Sequence, residues 1–208
     1  MDRPTPFFYN RAMRGKTVFF AVLFAAVSAL AFAQEFEPEE NLTWQRAGNG
    51  ARIVGYKGSS TDLRLPPVIN ERPVTEIGAR AFKGAGLTGL TIPGSVVSIS
   101  DEAFAGNRLS DITIPDGVTS VGINAFADNP VGSITIGNGI DTFNGDEIFG
   151  TAALRTVTRI SIPAGIALLA SATGGSDVLW QFGLAYWNNK ERAGIYTLSG
   201  GQWAYQAR

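Results

Sequence analysis

The chain has 208 residues, of which 45% are hydrophobic, and it carries 25 glycines, 10 prolines and a net charge of −1. It has no cysteine and no histidine, which excludes disulfide bonds, thiol nucleophiles, cysteine–histidine zinc sites and serine–histidine catalytic triads. The apolar content is sufficient for a sizeable core, and the many glycines and prolines favour frequent turns over long helices.

The N-terminal residues 1–33 have the features of an export signal. A basic segment at 11–16 precedes the apolar run 18–30, and residues 31–33 (Ala-Phe-Ala) form a small-x-small cleavage site. This run is shorter than the roughly 20 apolar residues that a membrane helix needs. We therefore predict a signal peptide, with a retained membrane anchor as the alternative.

Cleavage after residue 33 would leave 13 basic and 17 acidic side chains, a net charge of −4. Proteins that bind nucleic acid carry clustered basic residues rather than a net negative charge, so we expect no nucleic-acid partner. We also expect no membrane insertion of the mature chain. The predicted location is outside the cell or on its surface, with the periplasm as the alternative. The start is either Met1 or Met13, since initiation at Met13 gives a basic segment of more ordinary length.

The next two segments lead into the fold. Residues 34–41 are a charged linker, and residues 42–62 are predicted to form a β-hairpin around the turn 48–50 (Gly-Asn-Gly). Glycine and asparagine tolerate the positive φ that tight hairpin turns need. We predict that 42–62 form an N-terminal cap, because the ends of a repeat array expose apolar edges that an atypical unit must cover.

A 22-residue repeat dominates the next segment, residues 63–175. Apolar residues recur in six phases of it: Leu87, Leu109 and Val131; Leu90, Ile112 and Ile134; Ile92, Ile114 and Ile136; Val96, Val118 and Ile140; Ile99, Val121 and Phe143; Phe82, Phe104 and Phe126. A period in the twenties with fixed apolar offsets is typical of a leucine-rich-repeat solenoid, in which each unit stacks on its neighbours. We expect the column of phenylalanines to be part of the core rather than an aromatic site.

Each regular unit is predicted to contain two extended segments and a turn. In one unit, the first strand at 90–92 ends at Pro93, because proline cannot donate a hydrogen bond to a ladder. A second extended segment follows at 96–99, and a short helical turn then carries Phe104 inward. The same order recurs in the next unit.

The ends of the array are irregular. The first unit begins near Leu63 and has an extra stretch at 70–73, and the fourth has Ile148 or Phe149 in the phenylalanine position. Four extra residues displace the fifth unit, which begins at Ile160. We therefore predict an α/β-type solenoid that is mostly β, a short right-handed arc of about five repeats.

Residues 176–208 break the repeat and are predicted to form a C-terminal cap. A helix over 177–187, with Ser176 or Asp177 as its N-cap, would precede a hairpin around residues 199–201 (Ser-Gly-Gly). This unit would cover the apolar end of the last repeat.

The pattern L-x-x-[LI]-x-I-P-x-x-V-x-x-I-x-x-x-A-F resembles the leucine-rich repeats of the BspA-like family of bacterial surface antigens, especially the treponemal subclass. The matching residues are Leu87, Leu90, Ile92, Pro93, Val96, Ile99, Ala103 and Phe104, and then Leu109, Ile112, Ile114, Pro115, Val118, Val121, Ala125 and Phe126. The resemblance covers about residues 42–208. It implies a secreted or surface protein of a host-associated bacterium, adhesin-like, that attaches to host matrix proteins such as fibronectin or to other bacteria.

The first strands are predicted to present a concave face to the solvent. Alternate residues of a strand share a face, so the neighbours of the inward leucines and isoleucines project to the open side. The candidate ligand surface consists of Thr91, Asp111, Thr113, Ser133, Thr135, Arg159 and Ser161. The alternative is that threonine occurs at these positions because it favours strands.

The C-terminal segment is dense in aromatic residues. We expect most of them to cover the last repeat. The alternative is an exposed patch for a partner, since tryptophan and tyrosine often dominate binding energy. The candidate patch consists of Trp187, Tyr196, Trp203 and Tyr205.

No residue pattern indicates an enzyme. The adjacent acidic pairs at 101–102 and 146–147 suit the first turn of a helix, whereas glycosidase carboxylates face each other across a sugar. We predict no catalytic residue, no cofactor and no metal ligand. The predicted function is non-enzymatic binding of a protein, from the host matrix or another bacterial surface, or of a glycan. The alternative is a structural interaction protein of the envelope.

Overall fold

The computed structural model describes residues 36–153, 156–168, 182, 185–199 and 202–207. The predicted signal peptide at 1–33 lies outside the described residues, and so do the proposed N-cap residues Ser176 and Asp177. The boundaries predicted for the linker, the repeats and the two caps stay predictions.

Most of the regular structure is β. In chain order the strands are β1 (Leu42–Ala47), β2 (Gly50–Tyr56), β3 (Asp62–Arg64), β4 (Val68–Ile69), β5 (Arg72–Ile77), β6 (Gly89–Thr91), β7 (Ser98–Ile99), β8 (Asp111–Ile114), β9 (Ser120–Val121), β10 (Ser133–Ile136), β11 (Thr142–Phe143), β12 (Arg159–Ile162), β13 (Ala167–Leu168), β14 (Gly194–Ser199) and β15 (Gln202–Gln206). A 3-10 turn (Glu39–Asn41) precedes β1, and helix α1 (Gly145–Ala153) follows β11.

The first strands of the repeats stack in parallel and form the first column. β3 pairs with β6 in one sheet, and β10 pairs with both β8 and β12 in another. Ile134 lies beside Ile112 on one side and beside Ile160 on the other. Residues paired between β8 and β10 are therefore one 22-residue repeat apart. Residues paired between β10 and β12 are 26 apart, so the four extra residues lie in the connection before β12. This pairing keeps equivalent isoleucines on the buried side of β8, β10 and β12.

The second extended segments form a second column. β2, β5, β7 and β9 are parallel neighbours in one sheet, and β11 pairs with β13 in another. Ile77 lies beside Ile99, which lies beside Val121. The extra stretch of the first unit is a tight turn in which Asn70 and Glu71 both have positive φ, and it joins β4 antiparallel to β5.

A hairpin lies at each end of the described array, on a different column. The N-terminal hairpin of β1 and β2 turns at Gly48, whose φ is 57°, and β2 continues the second column. The C-terminal hairpin of β14 and β15 continues the first column, because β14 pairs antiparallel with β12. Each hairpin supplies ladder partners to a strand that would otherwise end its sheet.

A stack of phenylalanine rings runs along the core. The ring centroids of Phe82 and Phe104 are 5.1 Å apart, those of Phe104 and Phe126 are 5.3 Å apart, and those of Phe126 and Phe149 are 5.6 Å apart. All four side chains are buried. The expected core column is confirmed, and Phe149 rather than Ile148 continues the stack, although both are buried.

Two buried asparagines, which were not predicted from the sequence, bind successive turns to one another. Asn107 Nδ2 donates to the carbonyl oxygens of Phe82 and Phe104, and its Oδ1 accepts from the Leu87 N–H. Asn129 repeats the pattern in the next unit, with Leu109 as the donor to its Oδ1. Their spacing of one repeat was the signal for this role, since an asparagine in a buried phase needs hydrogen-bond partners.

The turn before each new strand has a fixed left-handed position. Gly84, Gly106, Asp128 and Gly150 each lie one repeat apart and have φ values of 66°, 69°, 57° and 68°. Helix α1 is interrupted at Gly150, so the array keeps this conformation even where the fourth unit contains a helix. In the regular units, hydrogen-bonded turns replace the expected short helix. In one of these turns, the Ala105 N–H donates to the Glu102 carbonyl oxygen at 3.2 Å. The prediction of a mostly-β solenoid of about five turns is confirmed.

Candidate binding surface

The outward residues of the first column stand side by side in register. Thr135 on β10 lies beside Thr113 on β8, and Ser133 lies beside both Asp111 and Arg159. Parallel neighbours are about 4.8 Å apart, so the side chains form closely spaced rows. We call this set the threonine face, and its members are Thr91, Asp111, Thr113, Ser133, Thr135 and Arg159.

Burial alternates along β8 as its sequence predicts. Asp111 and Thr113 are exposed, whereas Ile112 and Ile114 between and after them are buried. Thr91 and Arg159 are also exposed. Ser133 and Thr135 are half-buried. The threonine face is therefore open to solvent over most of its residues.

Ser161 does not belong to this open surface, and its assignment to the ligand surface is wrong. Its side chain is only 5% exposed. It lies between Thr135 on one neighbouring strand and Ile195 on the other. At Ser161, β12 has a paired strand on both sides, and the repeat pattern alone does not contain the pairing with β14.

The same pairing lengthens the sheet beyond the predicted repeats. Arg159 lies beside Thr197, and Thr197 lies beside Ala204 on β15. Both Thr197 and Ala204 are exposed. The surface next to the threonine face therefore continues over two antiparallel strands.

A cleft of mixed polar and apolar lining opens where β8 and β10 end, with a volume of about 370 Å³. Thr113, Thr135, Asp116 and Asn138 are among the residues that line it. Asp116 Oδ1 accepts hydrogen bonds from the backbone N–H and from Nδ2 of Asn138, both at 2.9 Å. A Cβ atom at Gly117 would collide with the Gly94 carbonyl oxygen, so only glycine allows these turns to stack so closely.

The aromatic residues of the C-terminal segment do not form one exposed patch. Tyr196 is fully buried, so its assignment to a partner surface is wrong. Its ring packs edge-on against Phe182 at a centroid distance of 5.3 Å, and Trp203 packs against the same ring at 5.3 Å. Trp203 and Tyr205 are half-buried, and Trp187 is 68% exposed. Most of these rings cover the end of the array, and Trp187 alone of the four candidates is largely open.

Two buried tyrosines in this cluster have structural hydrogen bonds. The Tyr186 hydroxyl accepts from the Ile166 N–H and donates to the Pro163 carbonyl, each at 3.2 Å. The Tyr196 hydroxyl donates to the Arg192 carbonyl at 3.1 Å. Burial raises the pKa of both phenols, so both stay neutral donors at physiological pH.

A charged cluster lies on the turns of neighbouring units. Glu102 forms ion pairs with Arg80, at 2.7 Å, and with Lys83. Hydrogen bonds from Arg80 and then from Lys83 lower the pKa of Glu102 from 4.5 to about 2. The carboxylate is solvent-exposed, so its contribution to stability is small.

This cluster predicts an acid-dependent loss of stability. Because the pKa of Glu102 is lower in the folded chain, the favourable contribution is complete above pH 4.5 and disappears as the pH falls through about 2. We expect Glu102→Gln to have a lower unfolding temperature than the unaltered chain at neutral pH, and the difference to vanish near pH 2. Thermal unfolding followed by circular dichroism between pH 2 and pH 7 measures it. Glu40→Gln, an exposed change outside the cluster, should show no such convergence.

Two structural features are absent from the part of the chain that the structure describes. Within it, no group of three or more acidic, histidine or cysteine side chains is placed to hold a metal ion. Among the same described residues, no helix is long and apolar enough to cross a membrane.

Parallel strands that recur once in every repeat, inward leucine and isoleucine side chains, and buried asparagines between turns define a leucine-rich-repeat solenoid. Residues 64–169, about half of the chain, match six copies of the BspA type leucine rich repeat region. The chain belongs to this family, and the resemblance seen in the sequence is confirmed. Such repeats are generally binding modules rather than enzymes.

Solved structures of bacterial leucine-rich-repeat proteins show some similarity to this chain. A leucine-rich-repeat protein of T. pallidum is 18% identical over 60% of this chain and 81% of its own, with a TM-score of 0.36. A leucine-rich-repeat protein of Bacteroides ovatus is 16% identical over 61% of this chain, which spans 53% of that protein, with a TM-score of 0.30. A leucine rich cell surface protein of Faecalibacterium prausnitzii is 14% identical over 64% of this chain and 71% of its own, with a TM-score of 0.24. A comparison with curated proteins finds no match.

Proposed function

We propose that this protein is an exported, adhesin-like binding protein without enzymatic activity. It docks a protein of the host matrix or of another bacterial surface on the threonine face. The observation that carries the proposal is the pairing of Thr113 with Thr135 on two parallel strands, with Thr91 at the equivalent position one repeat earlier on β6. Each hydroxyl both donates and accepts, so the three threonines offer hydrogen bonds to a partner on β6, β8 and β10.

Export is part of the proposal. Its support is the order of basic, apolar and small residues within positions 1–33, which is that of a cleavable signal peptide. Membership of the BspA type repeat family agrees with a surface or secreted role. Stacked repeats use their side chains for packing against neighbouring units, so binding falls to their surfaces.

The threonine face can be tested with two substitutions on neighbouring strands. We expect Thr113→Arg combined with Thr135→Arg to weaken binding to immobilised fibronectin at least tenfold. The two guanidinium groups would fill the row and place like charges on adjacent strands. Surface plasmon resonance measures the affinity, and circular dichroism confirms that the fold is kept.

Thr119→Arg is the matched control, because Thr119 is an exposed threonine next to β9, in the second column. Its affinity should equal that of the unaltered protein. Equal losses in both variants would show that charge, and not the threonine face, controls binding. If the unaltered protein ignores matrix proteins and instead captures an envelope protein, it has a structural role in the envelope.

A further inference from the structure

The cleft at the ends of β8 and β10 contains several side chains that can form hydrogen bonds. Thr113, Thr135, Asp116 and Asn138 supply the polar side chains among its lining residues, and Ile114, Pro115 and Ile136 supply apolar ones. The hydroxyls and the amide can both donate and accept, whereas the carboxylate only accepts. A ligand that satisfies this set must itself present several groups that donate and accept at close spacing.

Asp116 is oriented before any ligand arrives. Its Oδ1 atom already receives two hydrogen bonds of 2.9 Å from Asn138 on the next turn. These bonds hold the carboxylate plane, so the second oxygen, Oδ2, has a defined direction for a donor. A bond from a hydroxyl to a carboxylate is stronger than one between neutral groups, and a preoriented acceptor reduces the entropy lost on binding.

The chemistry of the cleft excludes several classes of ligand. The Asp116 carboxylate disfavours phosphates and other anions by like-charge repulsion. None of the described residues that line the cleft is aromatic, so a planar apolar ligand finds no stacking surface among them. A volume of about 370 Å³ lies at the small end of typical ligand pockets, which suits one or two small rings.

We propose that this cleft binds a neutral sugar ring of a glycan through Asp116, Asn138, Thr113 and Thr135. Neighbouring sugar hydroxyls donate to Asp116 Oδ2 and exchange hydrogen bonds with the Asn138 amide and the two threonines. The proposal rests on the proposed function, because Thr113 and Thr135 belong to the threonine face, and it narrows the partner to one that carries carbohydrate.

The test is a nuclear magnetic resonance titration of the ¹⁵N-labelled full chain with the methyl glycosides of glucose, galactose and mannose. We expect at least one glycoside to cause saturable shifts of the backbone amides of Thr113, Asp116 and Asn138. Asp116→Asn should weaken that binding at least tenfold, because it removes the charge from the acceptor. Asp141→Asn, an exposed change away from the cleft, should leave it unchanged.

The outcomes separate this proposal from the proposed function. In one outcome, Thr113→Arg with Thr135→Arg abolishes fibronectin binding, but no glycoside shifts the cleft amides or competes with fibronectin. The sugar site is then refuted, whereas the threonine face is supported. If a glycoside binds and Asp116→Asn abolishes its binding while no matrix protein binds, the cleft is supported and the matrix role fails. Equal glycoside affinity in Asp116→Asn and the unaltered chain also overturns the proposal.

Discussion

Phe104→Ala is expected to lower the free energy of unfolding by about 3–5 kcal/mol, the range for removing a buried aromatic ring. Phe104 is 0% exposed and stacks between Phe82 and Phe126. Its loss therefore removes ring contacts with the units on both sides and leaves a cavity in the middle of the array. Because repeat units are stabilised chiefly by their nearest neighbours, the gap should also weaken the coupling between the two halves.

Urea denaturation followed by far-ultraviolet circular dichroism measures this effect. A loss of cooperativity would lower the slope of the transition as well as its midpoint. Ile123→Ala is the control, because Ile123 is 55% exposed and its truncation should change stability by no more than about 0.5 kcal/mol. A cost below about 1 kcal/mol for Phe104→Ala would contradict the role of the stack as the core of the array.

Asn129→Ala should cost about 2–4 kcal/mol, although it removes little apolar surface. Asn129 is 3% exposed, and its Oδ1 is the acceptor for the Leu109 N–H at 3.1 Å. Its Nδ2 donates to the carbonyl oxygens of Phe104 at 3.0 Å and Phe126 at 2.9 Å. Alanine leaves these buried backbone groups without that partner, and each unsatisfied buried group costs about 1–3 kcal/mol.

The same urea titration tests this prediction, with Asn138→Ala as the matched control. Asn138 is exposed and its side chain bonds to Asp116 on the surface, where water can replace the bond. Asn129→Asp adds a second test, since its carboxylate cannot donate and would be buried with a charge at neutral pH. Stability of Asn129→Asp equal to that of the unaltered chain at neutral pH would show that the asparagine bonds are dispensable.

These two core features position the surface on which binding is proposed. Asn129 fixes the carbonyl oxygens of two successive turns, and the phenylalanine stack sets the spacing of those turns. The register of β8 against β10, with Thr113 beside Thr135, depends on that spacing. A destabilised core should therefore reduce binding even where the threonine face is unchanged, so affinity must be compared among variants that are fully folded.

The repeat itself could be derived from sequence because its physical basis is local. Leucine and isoleucine at alternate positions favour a strand with one buried face, and Pro93 or Pro115 ends such a strand. The inward Phe104 and Phe126 follow from the same repeat phase, and the structure buries both. The buried Asn107 and Asn129 were equally periodic, but their importance depends on backbone groups of other turns that become partners only in the folded chain.

The candidate binding surface was likewise predictable from the sequence only in part. The exposure of Asp111 and Thr113 follows from the alternation of side chains along the strand around Ile112, and both residues are exposed in the structure. The burial of Ser161 and of Tyr196 does not follow, because Ser161 lies beside Ile195 of β14 and the Tyr196 ring packs against Phe182, both outside the repeats. Ladder pairing between distant segments leaves no signal in the periodicity of either segment.

The sequence by itself therefore determined the class of fold, the repeat length, the phenylalanine column and the residues that alternate outward, since each depends on spacing within or between neighbouring units. The tertiary structure decided which of those outward residues are open, how the C-terminal hairpin lengthens the sheet, and that Asp116 and Asn138 meet beside Thr113 and Thr135. Those features arise where turns and strands from different units meet. Such contacts are fixed by packing and backbone pairing across the array, whereas a repeat pattern describes each unit separately.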